Sequence, residues 1–157
     1  MVPPPATAPA DPLRLYFDNN VYNRPFDDRA ISRNRVEARA VEELVVRIEN
    51  EEAELVSSFV VEAEHSRLAI PARRREVRRL MDLAQAYVAA HPVILERARG
   101  FRGVGLYTND ALHLAVAEYA EVDYFVTCDD KLLRKARSVE ITVRVVLPTE
   151  LLEEESS

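Results

Sequence analysis

Leu13 to Phe17 reads Leu-Arg-Leu-Tyr-Phe and stops at Asp18, a short apolar run of β-prone residues that predicts a first strand. Between residues 34 and 49, Val36, Ala40, Val41, Leu44, Val45 and Ile48 recur at helical spacing with Arg and Glu between them, which predicts an amphipathic helix. Leu55 to Val61 reads as a second strand running into a helix that carries Glu62 and Glu64. Pro71 opens a long helical stretch with Val77, Leu80, Met81, Ala84 and Val88 on one face, broken at His91-Pro92. A short piece around Leu95 to Arg99 leads into a loop from Gly100 to Gly105. Thr108 or Asn109 then caps a helix whose Leu112, Ala115, Val116, Tyr119 and Ala120 line one face. Tyr124 to Thr127 is a buried-type strand ending at Cys128-Asp129-Asp130, followed by a short basic helix from Lys131 to Arg137. Ile141 to Leu147 is a last strand, and Pro148 starts a terminal turn.

Strands alternating with helices imply βαβ units. The expected fold is α/β, a three-layer α/β/α sandwich around a central, mainly parallel sheet. No repeat or linker divides the chain, so one domain over residues 12–152 is expected, with a loose Pro/Ala tail at 1–11 and an acidic tail at 153–157.

Composition narrows the chemistry. No apolar run approaches the roughly 20 residues of a membrane helix, and MVPPPATAPAD lacks the basic start and apolar stretch of a signal peptide, so a cytoplasmic protein is expected. One cysteine, Cys128, excludes an internal disulfide and a cysteine zinc site. The 3 histidines, His65, His91 and His113, are not paired at ligand spacing, which disfavours a histidine zinc centre. A metal here would be held by carboxylates, which favours Mg²⁺ or Mn²⁺. The formal net charge of −6 argues against a nucleic-acid partner. Against that, only Lys131 and Lys135 among the 21 basic residues are lysines, and arginine is the side chain best suited to phosphate. Arg73, Arg74, Arg75, Arg78 and Arg79 form one cluster, and Lys131, Arg134, Lys135 and Arg137 another; solvated helix faces would give the same pattern.

Four acids fall on one expected edge. Asp18 and Asp129 follow strands, Glu64 lies in the helix fed by the second strand, and Asp110 opens a helix that returns toward the 124–127 strand. In a parallel α/β sheet, strand C-termini and the helix N-termini that follow them share an edge. Each acid alone is common punctuation, as a turn residue or a helix cap. Together they would repel one another unless a divalent cation balanced them. One ion or two about 4 Å apart would polarise a phosphoryl oxygen and activate water.

The motifs around these acids resemble those of PIN-domain nucleases. Phe17-Asp-Asn-Asn-Val21 is similar to the family's D-x-N-V opening, with Asp18 in the metal position and Asn20 as its polar partner. Ser58 followed six residues later by Glu64 is similar to the second motif, although Glu62 is an alternative. Asn109-Asp-Ala-Leu-His-Leu-Ala115 is similar to the third and points to Asp110. Thr127-Cys-Asp-Asp130 is similar to the fourth and points to Thr127 and Asp129, with Asp130 able to share that role. Asn23-Arg-Pro-Phe-Asp-Asp28 resembles one bacterial subgroup, and Asn19 departs from the Thr or Ser common at its position. The resemblance spans residues 13–150. It implies a compact α/β/α domain and Mg²⁺- or Mn²⁺-dependent endonucleolytic hydrolysis of RNA. It also implies homodimers and, for a toxin of a toxin–antitoxin pair, a small antitoxin protein that fills the acidic site.

On that resemblance Asp18, Glu64, Asp110 and Asp129 are the catalytic metal ligands, Asn20, Thr127 and Asp130 support them, and Lys131 engages the RNA backbone. His65 and His113, lone histidines on helices, stay outside the mechanism, while Tyr16, Tyr22 and Phe26 are rings that would stack on bases, Tyr16 more readily as core. Competing readings are weaker. A haloacid-dehalogenase-type phosphatase needs an Asp where Asn20 stands, and a phospho-receiver needs an acid pair where Asp18-Asn19 stands. A PIN-like module that binds RNA or protein without cleaving is the alternative of a different class.

Overall fold

The computed structural model describes residues 11–156. The tail expected at 1–11 therefore lies, but for the exposed Asp11, outside the described residues, as does Ser157.

Five strands form one sheet in the order β3-β2-β1-β4-β5, every pairing parallel. They are β1 (Leu13–Phe17), β2 (Ala53–Ser58), β3 (Ala86–Val88), β4 (Tyr124–Val126) and β5 (Arg144–Val146). Strand β1 is central, so Leu15, Tyr16 and Phe17 are all buried although neighbours on a strand point to opposite faces. The eight α-helices are α1 (Asn19–Asn23), α2 (Ser32–Glu49), α3 (Phe59–His65), α4 (Pro71–Met81), α5 (Pro92–Gly103), α6 (Thr108–Tyr119), α7 (Asp130–Arg137) and α8 (Pro148–Glu155). The α/β expectation holds, with a sheet that is parallel throughout. Among the described residues no helix is long and apolar enough to cross a membrane.

The strand order reverses around β1: β2 lies on one side and β4 on the other. Chains leaving β1 and β4 diverge from such a switch point and open a crevice beyond the strand C-termini. Asp18 closes β1 there, its N–H donating to Val126 O (2.9 Å), and Thr127 closes β4, its N–H donating to Val146 O (2.9 Å).

Several boundaries differ from the sequence pattern, each for a local reason. Strand β2 ends at Ser58, three residues early, because the Ser58 hydroxyl accepts from Val60 N (3.2 Å) and Val61 N (3.4 Å) and so starts α3. Helix α4 stops at Met81 rather than continuing to 88. Gln85 grips Leu55 twice, donating from its N–H to Leu55 O (3.0 Å) and accepting Leu55 N at Oε1 (2.8 Å), which starts an edge strand at Ala86. Helix α5 takes in the expected loop glycines Gly100 and Gly103; only Gly105, at φ 102°, makes the turn. Helix α6 starts at Thr108 with no side-chain cap, so neither Thr108 nor Asn109 caps it. Strand β5 is confined to three residues, and Glu153–Glu155 form the last turn of α8. On α2, Val36 is exposed, whereas Glu37 is buried between Arg24 (3.3 Å) and Arg33 (3.2 Å).

Candidate active site

Asp18 is the anchor of the crevice, only 5% exposed. Its Oδ2 accepts from Thr127 Oγ1 (2.8 Å) and Asn20 Nδ2 (2.9 Å), and its Oδ1 accepts from Asn19 N (2.8 Å). Asn20 ties the two strand ends together, because its Oδ1 also accepts from Cys128 N (2.9 Å). Thr127 accepts in turn from Asp129 N (3.1 Å), and of the three supports expected from sequence Asn20 and Thr127 touch Asp18. Burial pushes the Asp18 carboxyl up, against the lowering pull of His113 and the Thr127 hydrogen bond.

Asp110 stands in the first turn of α6, half-buried, where a helix N-terminus would favour its charge. Its pKa is nevertheless raised to about 6, first by desolvation and then by the charges of Asp18, Asp129 and Glu64. The charges of Asp18, Asp129 and Glu64 thus all reach Asp110. Asp129 caps α7, its Oδ1 accepting from Lys131 N (2.9 Å) and Leu132 N (3.3 Å).

Two sequence ambiguities are separated by geometry. Glu62 is spent on a bidentate pair with Arg78 (2.8 and 2.5 Å), while Glu64 faces His113. Asp130 is held by Arg33 (2.6 and 2.9 Å), which also donates to Cys128 O (3.1 Å); it sits on the surface and is not brought into the cluster. Arg33 thus fixes the residues on both sides of Asp129. Among the described residues no Lys or Arg forms an ion pair with Asp18, Glu64, Asp110 or Asp129.

His113, left aside by the sequence reading, lies at the centre of the site. Its Nε2 donates to Glu64 Oε1 and lies 3.8 Å from Asp18 Oδ1. Its Nδ1 is hydrogen-bonded to the Tyr16 hydroxyl (2.6 Å), which is bonded in turn to Ser58 Oγ (2.7 Å). Burial would push the imidazolium down, but the Glu64 bond and the charges of Asp18, Glu64 and Asp110 outweigh it and raise the pKa. Two spacings carry the signal. Tyr16 and Asp18 are two apart on a strand and share a face, and Asp110 and His113 are three apart on a helix. His65 is structural as expected, its Nε2 bonded to Arg74 O (2.9 Å). Tyr16 and Tyr22 are buried and offer no ring to a base.

Among the described residues no three His, Cys, Asp or Glu side chains are spaced to share one metal ion as they stand. Asp18 Oδ2, Asp129 Oδ1 and Glu64 Oε1 are turned to protein donors. The donor chemistry still fits a hard divalent cation: carboxylate oxygens in excess negative charge, with one imidazole as their sole cationic partner among the described residues. A soft, thiolate-bound metal does not fit, since burial pushes the Cys128 thiol up to about 12.

The fold defines a parallel α/β/α domain with Asp18, Glu64, Asp110 and Asp129 about its switch-point edge. Comparison with known families makes the class specific: the PIN domain model matches residues 16–138, and the chain belongs to the PIN domain family, whose members are in general nucleases. Among solved structures, a chain of VapBC2 from Rickettsia felis, crystallised with a DNA fragment from its promoter, aligns with a TM-score of 0.56 at 12% identity over 85% of this chain and 97% of that one. PAE2754 from Pyrobaculum aerophilum aligns with a TM-score of 0.55 at 20% identity over 96% and 100%. At these identities the likeness is one of fold. Sequence comparison with curated proteins gives no match.

Proposed function

We propose that this PIN-domain protein is a Mg²⁺- or Mn²⁺-dependent endoribonuclease acting at the crevice between β1 and β4. One observation carries the reading: four carboxylates share the edge, no Lys or Arg among the described residues pairs with them, and their repulsion lifts Asp110 to about 6. Asp18, Glu64 and Asp110 would hold the cation, with Asp129 supporting them or a second ion. When bound, the cation supplies positive charge against phosphodiester oxygens and lowers the pKa of water. Thr127 and Asn20 aim Asp18, His113 aims Glu64, and Asp130 steadies Asp129 through Arg33. Lys131, exposed in the first turn of α7, would meet an RNA phosphate.

The fold likeness to a chain of VapBC2 brings a protein partner into the reading, that of a toxin neutralised by a small antitoxin. Exposed Val93, Leu95 and Val104 on and beside α5 leave apolar area for that partner or for a second copy in a homodimer.

The test is cleavage of a mixed RNA pool by purified protein with Mn²⁺, Mg²⁺ or EDTA, beside Asp18→Asn. Metal-dependent cleavage that disappears in the variant supports the reading. Absence of cleavage under all three conditions moves it to a non-catalytic RNA- or protein-binding module.

A further inference from the structure

Tyr16 and Tyr22 are withdrawn into the core and Phe26 is half-buried, whereas Tyr107, at the start of the helix that carries Asp110, is 69% exposed. It is the residue before α6, three positions ahead of Asp110, and its carbonyl accepts from Ala111 N (2.8 Å). The buried Leu106 pins the chain just before it. Lys135 lies over this ring, its Nζ 4.2 Å from the centroid. Lys135 follows Lys131 by four residues on α7, so the two positions share a helix face, their backbones about 6 Å apart along the axis. One contact therefore joins the start of α6 to α7: Tyr107 meets Lys135.

Among the described residues both lysines stand with the unpaired arginines, Arg134 of α7 among them, apart from the paired ones. Arg24, Arg33, Arg73 and Arg78 are each tied to carboxylates, whereas among the described residues neither Lys131 nor Lys135 has an ion pair. An acidic crevice repels a phosphate chain, so a strand can lie across it only if neighbouring phosphates find cations nearby.

We propose that Tyr107, Lys135 and Lys131 form a ledge that holds a single nucleic-acid strand beside the acids, with a base stacked on Tyr107 and adjoining phosphates on the lysines. This rests on the nuclease reading and adds to it the residues that grip the strand; a base inside a duplex offers Tyr107 no free face.

The experiment measures binding of labelled single-stranded RNA, the same strand as DNA, and duplex RNA to full-length Asp18→Asn protein by fluorescence anisotropy. Tyr107→Ala, Tyr107→Phe and Lys135→Ala are added to that background. The ledge predicts that Tyr107→Ala weakens single-strand binding about 5- to 150-fold, as loss of one stacked base does, while Tyr107→Phe retains it and duplex binding is unmoved. Lys135→Ala should lower the salt slope for a single strand by about 0.7. Equal dependence on Tyr107 for RNA and DNA assigns the ledge to the shared base-and-phosphate chemistry, and dependence with RNA alone assigns it to RNA. Single-strand binding indifferent to Tyr107, or lost equally for duplex, overturns the ledge. So does an unchanged affinity accompanied by a change in oligomeric state, which would make Tyr107 a protein contact. Strand binding that ignores Tyr107, with Tyr107→Ala in the otherwise unaltered protein cleaving like the parent, overturns the ledge alone, whereas absence of both binding and parent cleavage overturns the nuclease reading with it.

Discussion

His113 joins Glu64 to Asp18: its Nε2 donates to Glu64 and stands 3.8 Å from Asp18 Oδ1. One buried imidazole thus sets the spacing between acids contributed by α3 and β1. Replacing it with Ala should weaken Mn²⁺ binding and cleavage 10- to 100-fold, the usual effect of losing a group that orients a metal ligand. His113→Gln, whose amide can still donate to Glu64, should recover much of that loss. Tyr16→Phe keeps the ring stacked on Phe125 but removes the hydroxyl that holds Nδ1, and should reproduce part of the His113→Ala loss. Mn²⁺ titration of the three variants checks the order.

The two glutamates of α3 should part company. Glu64→Gln should abolish cleavage. Glu62→Gln breaks an ion pair with Arg78 that is more than a third exposed on both sides, so it should cost less than about 1 kcal/mol and leave cleavage near the parent rate. Rates and melting curves for the pair decide this.

Thr127→Val preserves shape but takes a hydrogen bond from a buried carboxylate. Removing a bond to a charged group costs about 1.5–3 kcal/mol, so denaturant melts should show that loss with the slope unchanged.

The pH dependence of stability should run against the ordinary pattern. Asp110 binds its proton more tightly folded, at about 6, than an ordinary aspartate does at 3.8, so the folded state takes up a proton between those values. Stability from this group therefore falls as pH rises through that window. Asp18 is raised as well and adds the same sign. His113 is raised, so its contribution is full below 6.5 and lost as pH climbs through its folded value. Metal-free protein should melt at lower temperature at pH 7 than at pH 5, and Asp110→Asn should flatten the difference. Melting curves in EDTA across that range test the sign.

Much of this site was legible because the chemistry sits where elements end. Asp18 and Asp129 follow strands and Asp110 opens a helix, positions that hydrophobic pattern locates well. The supports Asn20 and Thr127 were legible only through motif resemblance, and both reach Asp18. His113 was not, because a single histidine on a helix carries no spacing signature of its own; its meaning comes from Glu64 and Tyr16, 49 and 97 residues away in sequence. Strand β3 was hidden because Ala84 and Val88 continue the helical pattern of α4, and only pairing with β2 makes residues 86–88 extended. Helix α5 was read short because Gly100 and Gly103 resemble loop residues, although packing of Ile94, Ala98 and Phe101 carries the helix through them. Tyr107 offered no pattern, since its use depends on Lys135 lying over it.

On the nuclease reading, acids from four elements act as one cation site. The most direct measurement is Mn²⁺ binding to the protein in the absence of RNA, by calorimetry or electron paramagnetic resonance, beside Asp18→Asn and Asp110→Asn. The account predicts saturable binding of one or two ions per chain, lost or strongly weakened in both variants. Binding that is absent from the parent, or equally strong in both variants, would contradict it.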